Sequence, residues 1–281
     1  MKHVIGLCTL LVCIFFTPAL GARANVLELP PVVSEVEVPI IMYHLVTERD
    51  KYIGKYGIRP AALEADLQYL AAQGYTTVLM ADVIAFVQNG TALPAKPIVL
   101  TFDDGNTGDI LYVLPLLEKY DARAVVSIIG EATDKYTKEQ AEKPGYKFPN
   151  MTWDEVRTLH ESGRVEIQSH GYDMHGKLGA GIRGGEGAEA YHARLKADLE
   201  KLQERIIAEV GFVPTTFTYP LGVISKGAQA VLEEVGFAAS LSCQEGMNVL
   251  TVGDEVKLFN LMRSNRPANK NIGALLEAMP R

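Results

Sequence analysis

The stretch Pro97-Ile98-Val99-Leu100-Thr101-Phe102-Asp103-Asp104-Gly105 decides the architecture of this chain. Ile98, Val99 and Leu100 follow one another without a polar break, as in a strand covered on both faces. The apolar run then meets two carboxylates and a glycine, so the strand ends in a turn that carries charge. On either side of it, short apolar runs alternate with helical patterns. Val38–Tyr43, Thr76–Leu79, Ala124–Ile129, Val165–Gln168, Thr215–Tyr219 and Phe237–Leu241 read as strands. Pro60 opens an amphipathic helix that Gly74 closes. Ala81–Gln88, Ile110–Tyr120, Trp153–Ser162, Ala188–Val210, Lys226–Val235 and Ile272–Ala278 read as further helices. Buried strands alternating with helices imply a parallel sheet. About seven such units in one chain predict an α/β fold, a distorted (β/α)7-type barrel in a single domain. Glu131–Pro149 and Gly176–Gly187 fall outside the alternation and read as long loops. The second is glycine-rich but lacks the strand–GxGxxG–helix setting of a nucleotide site.

The chain's 281 residues, 48% apolar and 22% charged, suffice for a sizeable core, which argues against disorder. Residues 1–24 read as a signal peptide: Lys2 and His3, an apolar run from Val4 to Phe16, Pro18, then Ala22-Arg23-Ala24. Cleavage is expected after Ala24, with an uncleaved anchor as the alternative. The protein is thus expected to be secreted or otherwise extracytoplasmic, in periplasm or cell wall, without stable membrane insertion after cleavage. Residues 25–37 read as an extended lead-in and 38–281 as the folded domain. Loss of residues 1–24 removes two basic residues and no acid, so the formal charge of −7 becomes −9. That balance, with no basic patch, excludes nucleic acid as an expected partner. Cys8 and Cys13 leave with the signal, and Cys243 is then alone, so a metal site must be built from His and carboxylates.

Two constellations carry chemistry. In Asp103-Asp104, neighbouring carboxylates sit where a buried strand ends, at the rim on which barrel active sites are built. One could bind a cation while the other takes a proton; an ordinary turn with a helix cap is the plain alternative. In Ser169-His170-Gly171-Tyr172-Asp173-Met174-His175, two His lie five apart past another strand. On a helix they would point to different faces, so they converge only if the segment is a loop. Two unrelated surface histidines are the alternative. An Asp with two His would leave coordination positions open for water and substrate.

The run TFDDG and the later His pair resemble the polysaccharide deacetylases of the NodB-homology type, carbohydrate esterase family 4. The resemblance extends through VPIIMYH, AAQGYTTV, LPAKPIVLTFDDG, MTWDEVRTLHESGRVEIQSHGYDMH and FTYPLG, in that order. It is nearest to the branch with poly-β-1,6-N-acetylglucosamine deacetylases. The resemblance implies a secreted, metal-dependent hydrolase that removes N-acetyl groups from an N-acetylglucosamine-containing polysaccharide. Asp104, His170 and His175 would hold a divalent metal, zinc in the first instance, with cobalt or nickel as alternatives. Asp103 would be the catalytic base, the backbone N–H of Leu221 the oxyanion donor, and His44 of the MYH motif the general acid. An acetylated glycan is the implied partner and a monomer the expected state.

This chain also departs from the family pattern. Gly171 stands where Ser or Thr is usual, and Leu221 where an aromatic residue is usual. The arginine of one family motif falls on Thr218, which leaves Arg263 as the candidate to pair with Asp103. No late Leu-x-His motif is present, so the acid role rests on His44. A catalytically impaired carbohydrate-binding relative and an O-acetyl-glycan esterase are the competing functions. His160 and His192, inside helices, read as structural or surface residues.

Overall fold

The computed structural model describes residues 34–280, apart from 144 and 146–148. The expected signal segment and most of the lead-in lie outside the described residues. From Glu35 the chain is already a strand, Glu35–Val38, paired antiparallel with Asn248–Thr251.

Among the described residues, seven parallel strands form the barrel wall: β1 (Ile40–Tyr43), β2 (Pro97–Asp104), β3 (Ala124–Ile128), β4 (Val165–Ser169), β5 (Thr216–Thr218), β6 (Ala239–Leu241) and β7 (Ser264–Asn265); the short strand Thr76–Thr77 pairs in parallel with the start of β2. Their spatial order is β6-β5-β4-β3-β2-β1-β7. The circuit closes because the segment leading into β7 turns back on β6. Leu261 N donates to Ser240 O at 2.8 Å and Ser242 N to Leu261 O at 2.9 Å, while Ser264 and Asn265 pair with Ile41 and Met42. The seam between β4 and β5 is thin, with a single residue pair, Ser169 with Phe217. There the Gln168 side chain substitutes for ladder bonds: its Oε1 accepts from Thr215 N and Thr216 N at 2.9 and 2.8 Å. The thin seam and the two-residue β7 are what distort the barrel.

The helices are α1 (Pro60–Ala72), α2 (Met80–Asn89), α3 (Leu114–Lys119), α4 (Gly130–Glu142), α5 (Trp153–Glu161), α6 (Ala188–Val210), α7 (Ala228–Val235) and α8 (Ile272–Glu277). A π-helical turn, Asp109–Val113, leads into α3. Residues that alternate along β2 face opposite sides. Ile98, Leu100 and Phe102 pack outward in one core with Leu67, Leu117 and Val156 of the helices. Val99 packs with Ile40, Val125 and residues of α2. Its face continues through Thr101 to Asp103, so β2 runs from apolar to charged toward its C-terminal end. Among the described residues, no helix is long and apolar enough to cross a membrane.

One expectation is corrected. Much of the presumed loop 131–149 is α4, Gly130–Glu142. Its sequence shows no apolar periodicity because, among its residues, only Gly130 and Thr133 are buried. Tertiary contacts hold its start instead: Gly130 N and Glu131 N donate to the carbonyls of Gly171 and Tyr172 at 3.1 and 2.8 Å. Residues 176–187 contain neither helix nor strand, as expected of the glycine-rich stretch.

Candidate active site

Neighbouring residues of a strand point to opposite faces, yet Asp103 and Asp104 both reach one pocket. The backbone explains this. Asp104 has φ 76 and Gly105 φ 66, so the strand ends in a left-handed kink that swings the second carboxylate round. Asp103 stays in register and points inward, 1% exposed. Arg263, itself fully buried, grips it with both arms: Nη1 to Oδ1 at 2.7 Å and Nη2 to Oδ2 at 2.9 Å. Arg263 Nε also donates to Ser242 O at 2.7 Å, which fixes the guanidinium plane. Burial alone raises the Asp103 carboxyl. The Arg263 guanidinium, then His170 and His44, outweigh it and bring the group down to about 2. Asp103 is therefore ionised at any neutral pH.

His170 directly follows β4, and its Nδ1–H donates to Thr218 O at 2.8 Å. That bond fixes the tautomer and leaves the Nε2 lone pair toward Asp104 Oδ1, 3.6 Å away. Gly171 then turns with φ 83, where a Cβ would lie 2.8 Å from Met174 Cε. The turn returns the chain so that His175 Nε2 comes within 3.1 Å of Asp104 Oδ1. Ligand atoms of Asp104, His170 and His175 all lie within 4.8 Å of one another. Asp104 Oδ1 is buried and accepts no well-aligned hydrogen bond, an orphaned charge that a cation would satisfy. Burial depresses the His170 imidazole, whereas the Asp104 carboxylate beside His175 raises that one. The donor set fits a divalent cation: two imidazoles and a carboxylate on one side, an open pocket on the other.

His44 follows β1 and sits across the pocket, with Nε2 3.9 Å from Asp103 Oδ2. Its ring rests on Tyr56 at 4.7 Å, and its Nδ1 is buried without a hydrogen-bond partner. Leu221 is half exposed at the pocket edge, in the turn Pro220–Gly222, with φ 58. A left-handed leucine is strained, and such strain gathers at functional sites. All of these line a cavity of about 750 Å³ except the buried Arg263, which acts from behind Asp103. His160 packs on Phe212 and His192 pairs with Glu234; neither lines the pocket.

Sequence reading named Arg263 but missed the residues that hold the histidine loop from behind. Asp198 of α6 accepts from Tyr172 N at 2.6 Å and Asp173 N at 2.9 Å, clamping the loop between the two histidines. Asp134 of α4 accepts from the Tyr172 hydroxyl at 2.9 Å and is itself held by Arg205 and Trp153. A hydroxyl at 171 is absent, and Asp198 Oδ1 stands 3.3 Å from where a Cβ would be. Asp109, fully buried, is a further acid near the site. Burial first, then the charge of Asp104, pushes its carboxyl well up. Nothing local marks Asp198 or Asp134; helical periodicity identifies a face, not the loop it meets.

The polysaccharide deacetylase family model matches residues 90–240. A poly-β-1,6-N-acetyl-D-glucosamine N-deacetylase of Escherichia coli (strain K12) is 26% identical over 234 residues, covering 76% of this chain and 34% of that protein. This chain thus spans about a third of the length of that relative. Two solved structures share the fold. The Streptococcus pyogenes deacetylase PplD in complex with acetate has TM-score 0.71 at 18% identity, covering 88% of this chain and 100% of that one. A de-N-acetylase from Aggregatibacter actinomycetemcomitans has TM-score 0.73 at 21% identity, covering 86% and 99%. With the family model spanning more than half of its length, this chain belongs to the polysaccharide deacetylase family.

Proposed function

We propose that this chain is a metal-dependent hydrolase that removes N-acetyl groups from an N-acetylglucosamine-containing polysaccharide outside the cytoplasm. One observation carries the proposal: an Asp-His-His ligand set and a separate, arginine-held carboxylate share one open pocket. Amide hydrolysis needs an activated water, a stabilised oxyanion and a proton for the leaving amine. When bound by Asp104, His170 and His175, a divalent cation, zinc in the first instance, supplies carbonyl polarisation and a more acidic water. Asp103 takes the proton of the attacking water, and Arg263 keeps that carboxylate ionised and aimed. The backbone N–H of Leu221 donates to the developing oxyanion. His44 delivers a proton to the departing sugar amine. Acetate release from N-acetylglucosamine oligomers, peptidoglycan and acetylated xylan, with and without chelator, tests the proposal. Release from the amino-sugar substrates that stops with chelator is expected. Release from xylan alone would make the chain an O-acetyl esterase. Glycan binding without release would make it an impaired relative.

The acid role of His44 makes a graded demand. His44→Ala should lower turnover of the amide roughly 10²-fold, because an amine leaves poorly without a proton. An activated aryl acetate, whose leaving group needs none, should lose far less. Equal losses on both substrates would remove His44 from the proton path.

Asp198 should act on the metal rather than on the chemistry. Groups that orient metal ligands from behind typically govern affinity by 10–100-fold. Asp198→Ala is therefore expected to bind zinc about 10–100-fold more weakly, measured by competition with a chromophoric chelator. Unchanged zinc affinity in a folded variant would reduce Asp198 to a plain helix–loop contact.

A further inference from the structure

The mouth of the pocket carries an apolar surface that hydrolysis itself does not use. Tyr52 and Tyr56 line the cavity, 46% and 49% exposed. Their loop is pinned at many points. Leu45 N donates to Tyr56 O at 3.0 Å, Gly54 N to Gly57 O at 2.9 Å, and Ala268 N to Gly54 O at 2.8 Å. Asn265 Nδ2 donates to Lys55 O at 2.9 Å. A Cβ at Gly57 would lie 2.0 Å from the Tyr52 carbonyl oxygen, so the loop closes this tightly only because residue 57 is glycine. Two half-exposed rings are thus held out to solvent by a loop with little freedom to fold them away. Lys51 and Lys55 add an ammonium over each ring, 4.6 and 4.8 Å from the centroids.

Together these are the two surfaces a pyranose ring presents a need for: a flat apolar face for its C–H bonds and charged donors for its hydroxyls. Leu221, which also lines the pocket, offers no aromatic face. Contacts run outward from Asp103 through His44 to Tyr56, and Tyr52 joins that chain at Gly57. We propose that Tyr52 and Tyr56, with Lys51 and Lys55, form a preformed shelf for the pyranose rings of an amino-sugar polymer beside the residue being deacetylated. The inference rests on the hydrolase assignment for its choice of ligand. It adds which residues hold the polymer outside the sugar being deacetylated.

The test is calorimetric titration of an N-acetylglucosamine hexamer into zinc-loaded Asp103→Asn protein, which keeps the ligand intact. Adding Tyr52→Ala should weaken hexamer binding roughly tenfold, the loss of one well-packed aromatic anchor. Tyr52→Phe should stay within about twofold, since a phenyl face stacks as well. Gly57→Ala removes no ring but breaks the loop closure, so it too should weaken binding. Equal hexamer affinity in the parent and Tyr52→Ala proteins would overturn the shelf, as would a parent that does not bind the hexamer. A parent that binds while the wild type releases no acetate would sustain the shelf and overturn the hydrolase assignment instead.

Discussion

Asp103→Asn is expected to keep metal binding and lose on the order of 10²–10⁴-fold in kcat. Asparagine has nearly the same shape but cannot accept the proton of the attacking water. The three ligand residues are untouched, so bound zinc per chain should stay at the wild-type level. The substitution has a second consequence, because Arg263 is fully buried and loses its counter-charge. Ser242 O and Thr101 Oγ1 still accept from it, yet some stability must go. Kinetics are therefore measured well below the melting temperature of the variant. Near-normal turnover in folded, metal-loaded Asp103→Asn protein would show that the carboxylate is only a structural partner of Arg263.

A second large effect is expected far from the chemistry. Arg266, 4% exposed, holds Asp66, 2% exposed, through Nε at 2.8 Å and Nη2 at 3.0 Å. The Tyr43 hydroxyl at 3.1 Å and Ile272 N at 3.3 Å complete the shell of Asp66. The cluster ties β1 and the end of the β7 segment to α1 and α8, where the barrel circuit closes. Arg266→Met should cost about 3–5 kcal/mol, because Asp66 is left as a buried charge without a cation. That is a large share of a typical net stability of about 5–15 kcal/mol. Burial, the largest influence on it, already raises the Asp66 carboxyl despite Arg266. A raised carboxyl favours the folded state most at pH below its unfolded pKa, and that contribution fades as pH rises through the folded value. The deficit of Arg266→Met should therefore shrink toward acid pH, where Asp66 is protonated and needs no cation. Asp66→Leu combined with Arg266→Met should recover most of the loss at neutral pH. Chemical denaturation at two pH values measures both; a neutral-pH deficit under about 1 kcal/mol would show that the pair is not the closing clamp.

The sequence by itself determined the alternation of strands and helices, and with it the parallel barrel. Those signals are local: apolar runs of four to six residues, a proline at a helix start, a glycine after a helix end. It also determined that two acids and two histidines stand at strand ends, which a barrel gathers on one rim. The tertiary structure decided what holds them. Arg263, which the sequence offered only as a candidate, lies 160 residues from Asp103, and only barrel closure through Leu261 and β7 brings the guanidinium behind the carboxylate. The absent hydroxyl at Gly171 has a backbone reason: a φ of 83 strains any side chain there, and a Cβ would press on Met174 and Asp198. Asp198 clamps the histidine loop from a helix whose own sequence pattern reports only its buried stripe. The helix α4 was illegible because its stability comes from contacts to Gly171 and Tyr172 rather than from an apolar face. Periodicity along a chain records which side of an element is buried; which distant residue it meets there is set by how the barrel closes.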